Sequence, residues 1–300
     1  MRVRLAARAA RGLLMLLAVA SCARRTNTIV VGSKNFTESD LLAEILAQQI
    51  ERRTNLHVER RLHLGGTFVC HEALRSGDLD MYVEYTGTAL VAILRQAPTR
   101  DPDSALVRVR AAYRAQFGAE WLSPFGFNNT FAMIVRAHDA ARLGLATLSQ
   151  AAGVARPWRA GFGYEFMERP DGYAGLARTY GLTLAGPPRV MDLGLTYRAL
   201  ADSQVDLIAG NSTDGQIEAL HLAVLADDRH YFPPYQAAPV VRKAVLERHP
   251  ELRRALEELG GRIDEATMRR LNAAVDVDHR DIAAVAREFL ATASRRTQPL

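Results

Sequence analysis

Two turns of small residues stand where the chain could present backbone N–H groups to an anion. Leu-Gly-Gly-Thr at residues 64–67 precedes an amphipathic stretch, and Tyr-Thr-Gly-Thr at residues 85–88 follows a short apolar run. A helix that begins at such a turn leaves its first N–H groups unpaired and carries partial positive charge there. Two such helix starts facing one crevice would suit a carboxylate ligand.

Other chemistries lack a matching pattern. The eight histidines are scattered, with no pair at the spacing of H-E-x-x-H, and no G-x-x-x-x-G-K-[ST] phosphate loop occurs. Asp80 and Glu84 fall on one face of a predicted strand with no nucleophile beside them, so catalytic carboxylates are not indicated. The sequence predicts no enzyme, no metal site and no cofactor.

The N-terminus has the layout of a secretory signal, with four arginines followed by an apolar run at residues 13–20. That run is too short to span a bilayer. Val-Ala-Ser-Cys at residues 19–22 resembles the bacterial lipobox, whose cysteine is lipid-modified. We predict a lipoprotein signal at residues 1–21, lipidation at Cys22 and an extracytoplasmic location, in the periplasm or at the cell surface. An ordinary signal peptide with a chance cysteine is the alternative.

The basic charge of the chain lies mostly in that signal. The 300 residues carry a net charge of +5, but residues 1–21 hold four arginines and no acid, so 34 basic and 33 acidic residues remain. Nucleic-acid binding needs a concentrated basic surface and is not predicted. If Cys22 is lipidated, Cys70 has no disulfide partner and is expected in the core.

The elements that must position the two turns alternate between strand and helix. Strands are predicted at residues 28–32, 57–62 and 80–84, with a helix capped by Thr37 and another at residues 68–76 between them. This order favours an α/β layer with a largely parallel sheet.

A second alternation follows, and the chain ends in amphipathic helices. The predicted elements are a helix at 104–117, a strand at 131–135, a helix at 195–201, a strand at 205–209, a helix after residue 214, an extended segment at 231–241 and helices at 247–259, 265–275 and 281–291. The mature length exceeds the comfortable size of one core. We predict a discontinuous lobe of residues 22–129 and 238–300 that encloses a second lobe of residues 130–237.

Eight stretches in order along the chain resemble the substrate-binding proteins of osmoprotectant ABC importers, the family for glycine betaine, carnitine, choline and proline betaine. They are Gly-Ser-Lys-Asn-Phe-Thr-Glu at 32–38, Leu-Gly-Gly-Thr at 64–67, Gly-Asp-Leu-Asp at 77–80, Glu-Tyr-Thr-Gly-Thr at 84–88, Gly-Phe-Asn-Asn-Thr at 126–130, Glu-Phe with Arg and Asp-Gly at 165–172, Ser-Thr-Asp-Gly at 212–215 and Phe-Pro-Pro-Tyr at 232–235.

The resemblance implies the two-lobed periplasmic-binding-protein type II fold, with the ligand held between lobes that close. It also implies partners: a small quaternary amine or betaine, a cognate permease and its ATPase subunits. A quaternary ammonium has no N–H to donate, so aromatic faces hold it by cation–π attraction.

Carried over by position, the resemblance assigns roles to individual residues. Tyr85 and Tyr235 match aromatic cage positions, whereas Lys34, Thr88 and Arg169 match positions that hold a ligand carboxylate. The predicted ligand-binding set also contains Thr67, Phe68, Asn129, Phe131 and Asn211.

Three of these residues depart from the family pattern. Phe131 and Asn211 stand where tyrosines are common, and Phe68 stands where some relatives have an acid. Either other rings complete the cage, or the ligand is a different small polar or zwitterionic solute, such as ergothioneine or an amino acid derivative. For Asn129 and Asn211, a turn-forming role is an equal alternative to ligand contact.

Overall fold

A computed structural model describes residues 27–154 and 157–295. The predicted signal at residues 1–21 and Cys22 lie outside the described residues. No helix within the described ranges is both long enough and apolar enough to cross a membrane.

Within the described residues, ten strands form two sheets. In chain order they are β1 (Thr28–Gly32), β2 (His57–Arg61), β3 (Met81–Tyr85), β4 (Ala119–Trp121), β5 (Phe131–Arg136), β6 (Ala160–Phe162), β7 (Arg189–Val190), β8 (Leu207–Asn211), β9 (Leu222–Leu225) and β10 (Ala237–Arg242).

The helices in chain order are α1 (Thr37–Arg53), α2 (Thr67–Ser76), α3 (Pro102–Phe117), α4 (Ala137–Leu143), α5 (Leu148–Ala152), α6 (Tyr164–Glu168), α7 (Tyr173–Tyr180), α8 (Leu193–Ala201), α9 (Gln216–Ala219), α10 (Lys243–Arg248), α11 (Pro250–Glu257), α12 (Glu265–Asp276) and α13 (Ile282–Arg295). A short helical turn, Thr86–Thr88, runs into the π-helix Ala89–Ile93 after β3.

The first sheet has the order β2-β1-β3-β10-β4, and the second has the order β7-β6-β8-β5-β9. In the first, β1 pairs in parallel with β2 and β3, but β10 pairs antiparallel with β3 and β4. In the second, β5 is the antiparallel strand, between β8 and β9. The largely parallel arrangement expected for the first unit is found for β1, β2 and β3, whereas β5 and β10 run opposite to their neighbours, because each follows a crossing between the sheets.

Both faces of each sheet are covered by helices. In the first sheet, α1 and the C-terminal helices pack on one face, and α2 and α3 bury the other, including Cys70 as predicted. In the second sheet, α5 to α7 cover one face and α8 covers the opposite face. Two segments of the chain cross between the sheets, one just before β5 and the other just before β10. Asn128 in the first crossing and Gln236 in the second form a β-bridge.

The start and end of α2 follow from local sequence. Gly66 is the N-cap with extended backbone, and Gly77 ends the helix in the left-handed conformation that glycine adopts without steric cost. The turn at residues 64–67 therefore opens a helix, as the sequence predicted.

Two details of the predicted helices are wrong. Thr37 is the first residue of α1 rather than its cap, and its hydroxyl donates to Asp276 on α12 at 2.6 Å. The helix predicted at residues 247–259 is divided into α10 and α11 at His249, because Pro250 cannot continue a helix and begins a new one.

Candidate functional site

A cavity of about 280 Å³ lies between the two sheets. It is lined by residues from the ends of β1, β3, β5 and β8, from α2 and α6, and from both crossings. Nine of the ten predicted site residues line it: Lys34, Phe68, Tyr85, Thr88, Asn129, Phe131, Arg169, Asn211 and Tyr235. Thr67 lies behind this wall, fully buried.

Seven aromatic residues line the cavity, and four of them form two pairs of neighbouring rings. Phe36 and Tyr85 have ring centroids 6.3 Å apart, and Phe131 and Tyr235 have theirs 6.0 Å apart. The Tyr85 hydroxyl donates to Glu38 at 2.7 Å, and the Tyr235 hydroxyl donates to Asp171 at 2.6 Å. These hydrogen bonds fix both rings by their polar ends.

The ammonium group of Lys34 is already paired within the protein. It lies 2.6 Å from the Glu84 carboxylate, donates to the Thr67 hydroxyl at 2.8 Å, and is 5.3 Å from the centroid of the Tyr85 ring. Lys34 is 2% exposed and Glu84 is fully buried. Burial of an unpaired charge is costly, and Glu84 supplies the partner of this lysine.

Arg169 is held in the same way on the other side of the cavity. Its guanidinium makes two hydrogen bonds to Asp171, at 2.9 and 2.6 Å, and lies 4.9 Å from the Phe131 ring and 5.8 Å from the Tyr235 ring. Burial would lower the pKa of Arg169, but the Asp171 carboxylate outweighs burial and raises it.

Glu165 makes a contact across the cleft, and this contact joins the layer of the first sheet to the layer of the second. Its carboxylate accepts hydrogen bonds from the backbone N–H of Thr67, the first residue of α2, and from the Thr67 hydroxyl. Arg169 lies 3.8 Å from the same carboxylate. One of the two predicted anion-binding helix starts is therefore occupied by a protein side chain.

Behind the aromatic rings of the cavity, the Glu38 side chain joins residues that lie far apart in the sequence. One carboxylate oxygen accepts from Tyr85 and Asn129, and the other accepts from Thr213 and Asn272. Glu38 is 2% exposed. Burial raises the pKa of Glu38, although the four hydrogen bonds act in the opposite direction.

The two asparagines have different surroundings. The Asn129 amide nitrogen donates to Glu38, and its buried oxygen has no hydrogen-bond partner among the described residues. The Asn211 backbone N–H donates to Asp214 at 2.8 Å, as in a turn, while its side chain also lines the cavity. Both the turn role and the cavity position thus apply to Asn211.

Sequence comparison identifies the family. Residues 27–292 match the family described as the substrate-binding domain of ABC-type glycine betaine transport systems, OpuAC. The chain belongs to this family. It is therefore a substrate-binding protein of an ABC importer, a class that works outside the cytoplasm.

Individual relatives agree with this membership. The chain is 36% identical over 266 residues to the carnitine transport binding protein OpuCC of Listeria monocytogenes, covering 88% of this chain and 86% of the relative. It is 37% identical over 276 residues to a glycine-betaine-binding protein of Pseudomonas aeruginosa, covering 89% and 88%. A crystal structure of a glycine betaine/carnitine/choline ABC transporter matches with a TM-score of 0.73 and 34% identity, covering 88% of this chain and 98% of that one. The type II fold expected for the substrate-binding protein is confirmed.

The binding protein's cavity also contains residues that the sequence analysis did not select: Phe36, Tyr164, Glu165, Glu168, Asp192 and Leu193. Phe36 and Glu165 lie inside stretches that carry the family resemblance, so their position beside the selected residues could have identified them. Asp192 and Leu193 begin α8, and no sequence pattern placed that helix start at the cavity.

Asp214 of this binding protein gives its stability a pH dependence. Burial raises the pKa of Asp214 from 3.8 to about 6. The folded state then holds a proton that the unfolded state has already lost, so this contribution to stability is present below pH 4 and lost as pH rises through 6. We expect Asp214→Asn to remove a decline of about 3 kcal/mol in the free energy of unfolding between pH 4 and pH 7.

Urea denaturation at several pH values measures this decline. Asn can still accept from the Tyr197 hydroxyl and the Asn211 N–H, which bond Asp214 at 2.5 and 2.8 Å. Asp278→Asn, at an exposed position, is the control and should keep the pH profile of the unsubstituted protein. Parallel profiles for Asp214→Asn and the unsubstituted protein would contradict the prediction.

Proposed function

We propose that this chain binds a quaternary-ammonium compatible solute, such as glycine betaine, choline or carnitine, between its two lobes and delivers it to a permease. The observation that carries the proposal is the aromatic wall: Phe36, Tyr85, Phe131 and Tyr235 line one cavity. Each ring face can attract a quaternary ammonium by about 0.5 to 2 kcal/mol. The names of the relatives, which include carnitine and glycine betaine, support the same ligand class.

In this proposal the rings bind the cationic head, and Lys34, Thr88 and Arg169 face the rest of the ligand. All three line the cavity. Phe68, half exposed at the start of α2, adds an apolar surface near the opening. Phe36 is an additional ring in the lining of the cavity. In this proposal it compensates for the tyrosine that the family commonly has at the position of Asn211.

Closure is proposed as a rotation of residues 130–237 against residues 22–129 and 238–300. The crossings at residues 128–130 and 235–237 are the hinge in this proposal. Glu165, Thr213 and Asn272 make hydrogen bonds that bridge the two parts. The permease and ATPase subunits are proposed partners, and lipidation at Cys22 would hold the protein at the membrane.

Isothermal titration with glycine betaine, proline betaine, carnitine, choline and ergothioneine tests the proposal. A ligand at 100 times its dissociation constant should raise the free energy of unfolding by about 2.7 kcal/mol. Phe131→Leu keeps an apolar side chain but removes the ring, so we expect affinity to fall about 3- to 30-fold. Phe289→Leu, in the core of α13 away from the cavity, is the control and should leave affinity unchanged.

A second candidate ligand is a different small polar or zwitterionic solute, such as ergothioneine. Phe131 and Asn211, which line the cavity where the family commonly has tyrosines, favour this candidate. Under it, Phe131→Tyr combined with Asn211→Tyr should create affinity for glycine betaine. Saturable binding of betaines by the unsubstituted protein would reject this candidate, and the absence of binding for every quaternary amine would reject the main proposal.

A further inference from the structure

The N-terminus of α2 is the better of the two predicted anion sites, because α2 is a full helix of ten residues whereas Thr86–Thr88 is a short turn. Glu165 occupies it. The Glu165 carboxylate accepts from the Thr67 N–H and, at 3.4 Å, from the Thr67 hydroxyl. Glu165 thus has the place that a ligand carboxylate would take at a helix start.

Gly66 makes room for this contact. A Cβ at Gly66 would overlap the Glu165 carboxylate. The backbone of Gly66 has φ −76° and ψ −173°, which any L-residue adopts, so conformation does not require glycine here. The absence of a side chain at residue 66 therefore serves the approach of Glu165.

Two cationic side chains that line the cavity are likewise bound to carboxylates of the protein itself. Lys34 pairs with Glu84, and Arg169 pairs with Asp171. Three further carboxylates line the cavity: those of Glu165, Glu168 and Asp192. A ligand carboxylate entering here meets paired cations and additional negative charge, whereas a ligand cation meets aromatic rings and carboxylates.

We propose that Glu165 is a specificity-determining residue that replaces the ligand carboxylate at the start of α2, so that the site favours quaternary ammonium ligands whose other end is uncharged. This inference rests on the proposed function, since it concerns the second half of the same ligand. A ligand with a hydroxyl at that end leaves the Glu165 contact intact. A ligand with a carboxylate has to displace Glu165 or lie against its charge.

The contact also couples specificity to closure. Glu165 belongs to α6, which packs on the second sheet, and Thr67 begins α2, which packs on the first. The hydrogen bonds between them therefore join the two layers. A ligand carboxylate that displaces Glu165 removes this connection.

Choline and glycine betaine are the probes, because they share the trimethylammonium group and differ in the hydroxyl or carboxylate end. Isothermal titration of the full mature chain measures both dissociation constants. We expect the unsubstituted protein to bind choline about tenfold or more tightly than glycine betaine, the effect of losing about one charge-assisted hydrogen bond.

Two variants test whether the α2 start is the cause. Glu165→Ala removes the carboxylate and should lower the choline-to-betaine preference about tenfold, because the ligand carboxylate can then accept from the Thr67 N–H. Glu165→Ala combined with Gly66→Ala fills the vacated place with a methyl group, since a Cβ at Gly66 overlaps the position of the Glu165 carboxylate, and should restore the preference. Glu72→Ala, exposed on α2, and Gly186→Ala, whose added Cβ would meet no atom within 4 Å, are the matched controls and should keep the preference.

The outcomes separate this inference from the proposed function. Tighter binding of glycine betaine than choline by the unsubstituted protein, or an unchanged preference in Glu165→Ala, overturns the role of Glu165 while leaving the function intact. A preference that stays lowered when Gly66→Ala is added to Glu165→Ala overturns the assignment to the α2 start. Failure to bind any quaternary amine rejects the proposed function and this inference with it.

Discussion

Arg169→Ala is expected to lower the free energy of unfolding by about 3 to 5 kcal/mol, because it leaves the buried Asp171 carboxylate without its cation. Asp171 accepts two hydrogen bonds from Arg169 and one from the Tyr235 hydroxyl. Arg169 is only 5% exposed, so water cannot replace the guanidinium easily. The same substitution removes a packing contact of the Phe131 and Tyr235 rings, which lie 4.9 and 5.8 Å from the guanidinium, and the loss of their positions should weaken ligand binding. Urea denaturation and isothermal titration measure the two effects.

Two further variants define the cause of that loss. Arg169→Met combined with Asp171→Leu removes both charges, and we expect it to cost less than Arg169→Ala alone, because no unpaired charge remains buried. Arg269→Ala breaks an exposed pair with Glu265 on α12 and should cost less than about 1 kcal/mol. Equal losses for Arg169→Ala and Arg269→Ala would show that burial of the first pair has no energetic consequence.

Glu38→Leu is expected to cost about 3 to 5 kcal/mol in the free energy of unfolding. Four side chains donate to Glu38, and each buried donor left without an acceptor costs about 1 to 3 kcal/mol, with some finding new partners. The Tyr85 ring loses its anchor in the cavity wall, so ligand affinity should fall as well. Chemical denaturation and isothermal titration test this prediction together.

Glu38→Gln should give an intermediate loss. Its amide supplies one acceptor oxygen, so one pair of donors, either Tyr85 with Asn129 or Thr213 with Asn272, faces an NH₂ group instead. Glu51→Leu, on the exposed part of α1, is the control and is expected to cost no more than about 1 kcal/mol. If Glu38→Leu costs no more than this control, the hydrogen bonds to Glu38 do not stabilise the folded protein.

Much of the fold was accessible from local sequence. The β-α-β-α-β order of the first unit is confirmed, because hydrophobic periods of 2 and 3.6 residues and the glycines at Gly66 and Gly77 are local properties. The direction of β5 and β10 was not accessible, because it depends on how the chain crosses between sheets. The cap at Thr37 was misplaced because Asp276, 239 residues away, takes its hydroxyl.

The candidate site shows the same difference between what local sequence predicts and what depends on distant residues. Nine of the ten residues predicted from motifs line the cavity, since each motif marks the end of a strand or the start of a helix near the crevice. Their charge partners were not predicted. Glu84 lies 50 residues from Lys34, and Glu165 lies 98 residues from Thr67.

The sequence by itself determined which elements form, where α2 begins and which residue types reach the cavity, because these depend on spacing within a few turns of chain. Only the tertiary structure decided that Lys34 is neutralised by Glu84 and that Glu165 takes the start of α2. Burial removes water as the alternative partner of a charge, so the nearest side chain in space, and not in sequence, sets what the site can bind.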